Sequence, residues 1–200
     1  TGITSLTNSR AVGAATVSVA DGVAVTLSGN ALATGIQTVN YAAAATSGSL
    51  TLNNVNTNTG VAVVETGAAL VTLNLATAGT ASSIGTLTTG ATTTTLNITG
   101  ATNLTVIDAL ATTVTKVNAT AFTGKLSVVT GDTAAGTLAA PGLTVIGGTG
   151  DDTLNITASG TADFTSVTAG LGNDTVLVSA AQIAADAGDI LNGGTGTDTL

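Results

Sequence analysis

A short unit, Thr-apolar-Asn, returns along the chain at intervals that leave few folds open. It reads Thr51-Leu52-Asn53, Thr72-Leu73-Asn74 and Thr95-Leu96-Asn97, and Lys116-Val117-Asn118 keeps its apolar and amide positions. Thr137-Leu138-Ala139 continues the spacing without the Asn, so the apolar residues stand 21 to 23 positions apart. Around them apolar and polar residues alternate, as in Leu73 and Leu75, Leu96 and Ile98, Leu104 and Val106. That is the period-2 signature of strands with one buried face. Gly79, Gly90, Gly100 and Gly124 separate the runs, where turns are expected. A period of this size predicts a stack of like coils, with equivalent apolar residues about 4.8 Å apart and asparagines stacked as an amide ladder. The expected fold is all-β, a parallel β-solenoid. An antiparallel sandwich also spaces its strands evenly and is the alternative.

The repeat divides the chain into a strand-rich segment over 1–45, plain solenoid coils over 46–140 and coils with specialised turns over 141–200. In the first segment Val17 and Val19, then Val23, Val25 and Leu27, read as two strands around Asp21-Gly22. Pro141-Gly142 marks a turn, and the Ala-rich stretch 180–187 is the one candidate helix.

Composition excludes whole classes of function. The 200 residues contain no Cys, His, Met or Trp, only three aromatics, and three Lys+Arg against 11 Asp+Glu. No disulfide framework or Cys/His zinc site is possible, and a His-based nucleophile triad has no base. Three basic residues cannot neutralise a phosphate backbone, so nucleic acid is not an expected partner. Polar residues interrupt every apolar run well before the roughly 18 residues that a spanning helix needs, so no membrane insertion is expected either. No secretory leader is apparent at the start, and the chain reads as a segment of something longer.

The net charge of -8 is not spread evenly. Residues 1–130 balance Asp21, Glu65 and Asp108 with Arg10, Lys116 and Lys125. Residues 131–200 carry Asp132, Asp151, Asp152, Asp163, Asp174, Asp186, Asp189 and Asp198 without one Lys or Arg. Charge concentrated in this way is either a solvated acidic face or is neutralised by inorganic cations.

Local spacing favours cations. Residues 147–155 read Gly-Gly-Thr-Gly-Asp-Asp-Thr-Leu-Asn and fit G-G-x-G-x-D-x-U-x, with U a large apolar residue, at every fixed position. Residues 169–177 repeat it with Ala169 in place of the first Gly, and residues 193–200 repeat it as far as U. Glycines allow left-handed turns that bring carbonyls inward, and carbonyls with carboxylates are the hard oxygen ligands of Ca2+. The apolar residues Leu154, Val176 and Leu200 are expected to stack in the core.

These three copies resemble the RTX (repeats-in-toxin) calcium-binding family, over about the last 55 residues. The resemblance implies calcium held between stacked turns of a β-roll. In this chain the motifs start at residues 147, 169 and 193, wider than the family's nine-residue spacing. One motif turn per coil, all on a single edge, is therefore expected. Two interior sites follow, one between Asp152 and Asp174 and one between Asp174 and Asp198. Carbonyls or side chains of Gly147, Thr149, Asp151, Ala169, Leu171, Asn173, Gly193, Thr195 and Thr197 complete the expected ligand set. Asp163, Asp186 and Asp189 are secondary candidates, while Asp108 and Asp132 are expected to be solvated turn residues.

The family resemblance further implies type I secretion and calcium-driven folding outside the cell. The Thr/Ala/Gly/Asn-rich, Cys-free body resembles Gram-negative surface-layer proteins of the Caulobacter and Campylobacter type. The expected role is a structural, non-enzymatic block of a secreted cell-surface coat. Its expected partners are identical subunits and, through another domain, surface polysaccharide or lipopolysaccharide. An adhesin stalk is the alternative. A calcium-dependent polysaccharide enzyme ranks third, because Arg10, Lys116 and Lys125 are all remote from the motifs in sequence.

Overall fold

The computed structural model describes the chain except for residues 1–2, 10–12, 30–34, 58–60, 66–68, 132, 134–135, 138–140, 157–163 and 181–187. It is an all-β parallel β-solenoid of about seven turns. One long sheet runs its whole height, through β1 (Ser5–Ser9), β3 (Ala24–Ser28), β5 (Ser47–Asn53), β8 (Thr72–Ala78), β11 (Thr95–Gly100), β13 (Lys116–Asn118), β15 (Leu143–Ile146), β17 (Thr165–Thr168) and β19 (Ile190–Asn192). The second wall changes along the stack. A four-stranded sheet of β2 (Ala15–Val19), β4 (Gln37–Tyr41), β7 (Val61–Glu65) and β10 (Leu87–Thr89) serves the lower coils. A six-stranded sheet of β6 (Asn56–Thr57), β9 (Ser82–Ile84), β12 (Leu104–Ala109), β14 (Leu126–Val129), β16 (Thr153–Asn155) and β18 (Thr175–Leu177) serves the upper ones.

Alternation builds the core. Leu73, Leu96, Val117, Val145 and Val167 face one another through successive strands of the long sheet, and each is fully buried. Burying each such side chain contributes about 1.5–3 kcal/mol. The polar residues between them face outward. The strands around Asp21-Gly22 form as expected, with Gly22 at φ 76°, but they are not a hairpin: β2 and β3 lie in different sheets.

Two expectations about register need correction. Leu52 does not face Leu73; it faces Thr77, and Leu73 faces Gly48, because β5 and β8 pair 25 residues apart. Intervals of 21 and 25 differ by an even number, so either register keeps Leu52 on the inner face, and periodicity cannot separate them. Packing decides it. A side chain at Gly48 would stand 2.8 Å from the ring of Tyr41. That ring is buried, and its hydroxyl donates to the Ser49 carbonyl at 2.6 Å. Burial pushes the phenol up to about 12. Higher up, Val117 faces Val145 across a longer coil, while Leu138 lies outside the described residues.

One step of the expected amide ladder is Asn97 Nδ2 donating to Asn74 Oδ1 at 2.9 Å. The next amide, Asn118, turns aside, its Oδ1 accepting from the Thr120 hydroxyl at 2.7 Å. The expected helix at 180–187 falls almost wholly outside the described residues. Asp108 is in strand β12 and not in a turn; its Oδ2 accepts from the Thr86 hydroxyl at 2.5 Å.

Candidate metal centre

The motif turns occupy the corner where the long sheet hands over to the six-stranded sheet. They stack directly, because Leu171 N donates to Gly148 O at 3.0 Å and Thr195 N donates to Gly170 O at 2.9 Å. The backbones approach so closely that a Cβ on Gly172 would meet Gly150 O at 2.5 Å. Gly170 and Gly172 have φ of 115° and 124°, and Gly194 and Gly196 have 94° and 140°. This is backbone that side-chain-bearing residues rarely adopt. Ala169, buried in the same column, is not at a left-handed position, so its methyl brings no backbone strain.

Strand register places Asp152, Asp174 and Asp198 in one vertical column, since Thr153 pairs Thr175 and Thr175 bridges Thr199. Each carboxylate accepts from the backbone of the coil beneath. Asp152 Oδ1 accepts Leu126 N at 2.9 Å, Asp174 Oδ1 accepts Asp152 N at 2.7 Å and Asp198 Oδ1 accepts Asp174 N at 3.0 Å. A second, outer ladder runs the other way. Asp151 Oδ1 accepts Asn173 N at 3.0 Å, and Asn173 Oδ1 accepts Thr197 N at 2.9 Å. The motif acids are thus also the hydrogen-bond acceptors that hold the turns in register, a role the sequence reading missed.

The second oxygens of the inner column differ. Asp152 Oδ2 accepts Gly148 N at 2.8 Å within its own turn. Asp174 Oδ2 is buried with no hydrogen-bond partner, on a residue only 1% exposed. Burial pushes the Asp174 carboxyl above its ordinary value, the Asp152 amide opposes this, and the Asp198 and Asp151 charges add to it. Burial likewise raises Asp152 against the amides of Gly148 and Leu126, with Asp174 and Asp151 reinforcing the rise. An unpaired buried carboxylate is costly, and it either takes a proton or finds a cation.

The remaining expected ligands divide by position. Gly147 and Ala169 are buried, whereas Thr149, Leu171, Asn173, Thr195 and Thr197 are exposed and Gly193 is half-buried. The Thr195 carbonyl already accepts Gly172 N at 3.0 Å. Leu154 and Val176 are buried and paired, as expected of the apolar motif position. Leu200, expected in the core, is instead 69% exposed. Asp189 performs the same capping at another corner, its Oδ1 accepting Thr165 N at 2.7 Å. Asp132, Asp163 and Asp186 lie outside the described residues.

The fold also brings in a residue that sequence distance concealed. Lys125 Nζ lies 2.9 Å from Asp151 Oδ2, so one basic side chain does reach the motif edge. The hydrogen bonds from the amide of Asn173 and from Lys125 hold the Asp151 carboxyl below its ordinary value. Among the described residues no three acidic side chains converge on one point, so a metal here would draw on backbone carbonyls as well. The donor set is all oxygen, hard and anionic, which suits Ca2+ and offers nothing to a thiophilic metal. No family model, curated protein or solved structure matches this chain.

Proposed function

We propose that the upper corner of the solenoid binds Ca2+, with Asp152 and Asp174 serving one site and Asp174 and Asp198 the next. The observation that carries this reading is Asp174 Oδ2, a buried carboxylate oxygen with no hydrogen-bond donor, in a column with Asp152 one coil below and Asp198 one coil above. The RTX-like motif at three stacked turns supports it. When bound, the ion supplies positive charge to the column. The chain's own residues supply the frame: glycines let turns approach, and the Oδ1 ladder fixes the height of each carboxylate. We read the whole as a calcium-stabilised structural block of a secreted surface-layer protein, folding outside the cell and assembling with like subunits.

Melting followed by circular dichroism tests the reading. Free calcium at a hundred times its Kd should stabilise by about 2.7 kcal/mol per site. Mg2+ should do far less, since it demands small, nearly octahedral cages. Identical melts in chelator and in calcium would overturn it.

A further inference from the structure

The first position of the motif turn differs among the three copies, and it lies beside the inner carboxylate. Gly147, Ala169 and Gly193 stand in one column, since Ile146 pairs Thr168 and Thr168 pairs Asn192. Gly147 N donates to Thr168 O and Ala169 N to Asn192 O, both at 2.8 Å, so the coil above holds both in the same way. Where this position is Gly, the second oxygen of the motif Asp leans over it. A Cβ built on Gly147 would stand 2.9 Å from Asp152 Oδ2, and one on Gly193 would also crowd Asp198 Oδ2. In the lowest turn this open space lets Asp152 Oδ2 accept Gly148 N at 2.8 Å. In the middle turn position 169 carries a methyl, and Asp174 Oδ2 is the oxygen left buried without a donor.

We infer that Ala169 is a positioning residue for metal: its methyl keeps Asp174 Oδ2 off the amide of its own turn, Gly170 N, and so holds that oxygen open for Ca2+. This rests on the calcium reading above. Amide and ion are alternative partners for one oxygen. An amide cap satisfies part of the carboxylate's charge and turns the positive end of an N–H dipole toward an arriving cation. The affinity of an oxygen cage for Ca2+ follows the charge its ligands can give. Ala169 acts only through where it leaves Asp174 Oδ2. The one departure from the motif at its fixed positions thereby falls on the turn that both proposed sites share.

Calcium titration by calorimetry on the full chain tests this with three proteins. Ala169→Gly opens the space, lets Gly170 N cap Asp174 Oδ2 and should weaken Ca2+ binding about tenfold relative to the unaltered chain. Ala119→Gly is the control. Ala119 is buried and its amide donates to Ile146 O at 2.7 Å, so it takes the same place one coil lower. The corner continues there through residues 121–128, where Ser127 pairs Thr153 and Thr149 N donates to Phe122 O at 3.0 Å, but the inner residue is Leu126. This variant loses the same methyl with no carboxylate beside it and should bind Ca2+ as the unaltered chain does. Melting in chelator gives a second readout: the new hydrogen bond should make Ala169→Gly melt above Ala119→Gly. Weaker binding in Ala169→Gly alone, with that higher melt, supports the inference. Unchanged affinity in Ala169→Gly, an equal loss in both variants, or a melt no higher than that of Ala119→Gly overturns it and leaves the calcium reading intact. No binding by the unaltered chain overturns both.

Discussion

One column of inward-facing residues runs up the corner between the long and the six-stranded sheet, and its lower and upper halves are built on different chemistry. From the bottom it reads Val55, Ser82, Leu104, Leu126, then Asp152, Asp174 and Asp198. Where the next residue up is Leu, the backbone amide below bonds a carbonyl: Ser82 N donates to Asn103 O at 2.9 Å and Leu104 N to Lys125 O at 3.0 Å. Where the next residue up is polar, the same amide bonds its side chain instead. Val55 N donates to Ser82 Oγ at 3.1 Å, and Leu126 N to Asp152 Oδ1. A single coil design thus accepts either an apolar side chain or a carboxylate at one level. Only the carboxylate leaves charge inside, and the lower half needs no counter-ion.

Substitutions in the two halves should differ in whether they respond to calcium. Leu104→Ala removes a fully buried side chain and should cost about 2–5 kcal/mol, equally in calcium and in chelator. Gly172→Ala forces a side chain into left-handed backbone against the Gly150 carbonyl, and should cost about 1–3 kcal/mol. Both are read from denaturant midpoints. Asp174→Asn keeps an acceptor for Asp152 N but removes the buried charge. In chelator it should stabilise, because burial disfavours the carboxylate there. In calcium it should bind at least about tenfold more weakly, a loss of 1.4 kcal/mol. A calcium-dependent Leu104→Ala, or an Asp174→Asn that destabilises the metal-free chain, would erase the contrast.

Acid sharpens the same contrast. The folded-state carboxyls of Asp152 and Asp174 sit above the ordinary 3.8, so folding favours their protonated forms. The sign is opposite to that of a salt-bridged acid. In chelator, their contribution to stability is fully present below 3.8 and is lost as pH rises through the raised values. The metal-free chain should therefore gain stability from these two groups on mild acidification, while Asp151, held low, acts in the opposite direction. In calcium the slope should reverse, because protons compete with the metal. The smallest effect belongs to the lower coils: Asn97→Ala loses one half-buried amide bond and should cost about 0.5–1 kcal/mol at any calcium level.

Much of this was legible in the sequence, for physical reasons. Period-2 alternation within strands and a recurrence near 22 residues determine inside, outside and stacking, so the solenoid and the inward Leu73, Leu96 and Val117 could be read directly. Coil length could not, because an even slip preserves the pattern; Leu52 against Thr77 is the case in point. The three motif turns announced themselves through Gly and Asp at fixed offsets. Their continuation at 121–128 did not, because Lys125 and Leu126 replace the acids while only the backbone keeps the geometry. Nor could spacing reveal that Asp152 is held by Gly148 and Leu126 while Asp174 keeps one oxygen unpaired. That difference depends on which amides the neighbouring coil presents.

Crystals grown in calcium, with anomalous scattering collected at long wavelength, would test the central claim most directly. The account predicts anomalous peaks in the motif stack within about 2.3–2.6 Å of Asp174 Oδ2, on both sides of its turn. Absence of any peak at that oxygen, in crystals holding the Asp152, Asp174 and Asp198 column as described, would contradict it.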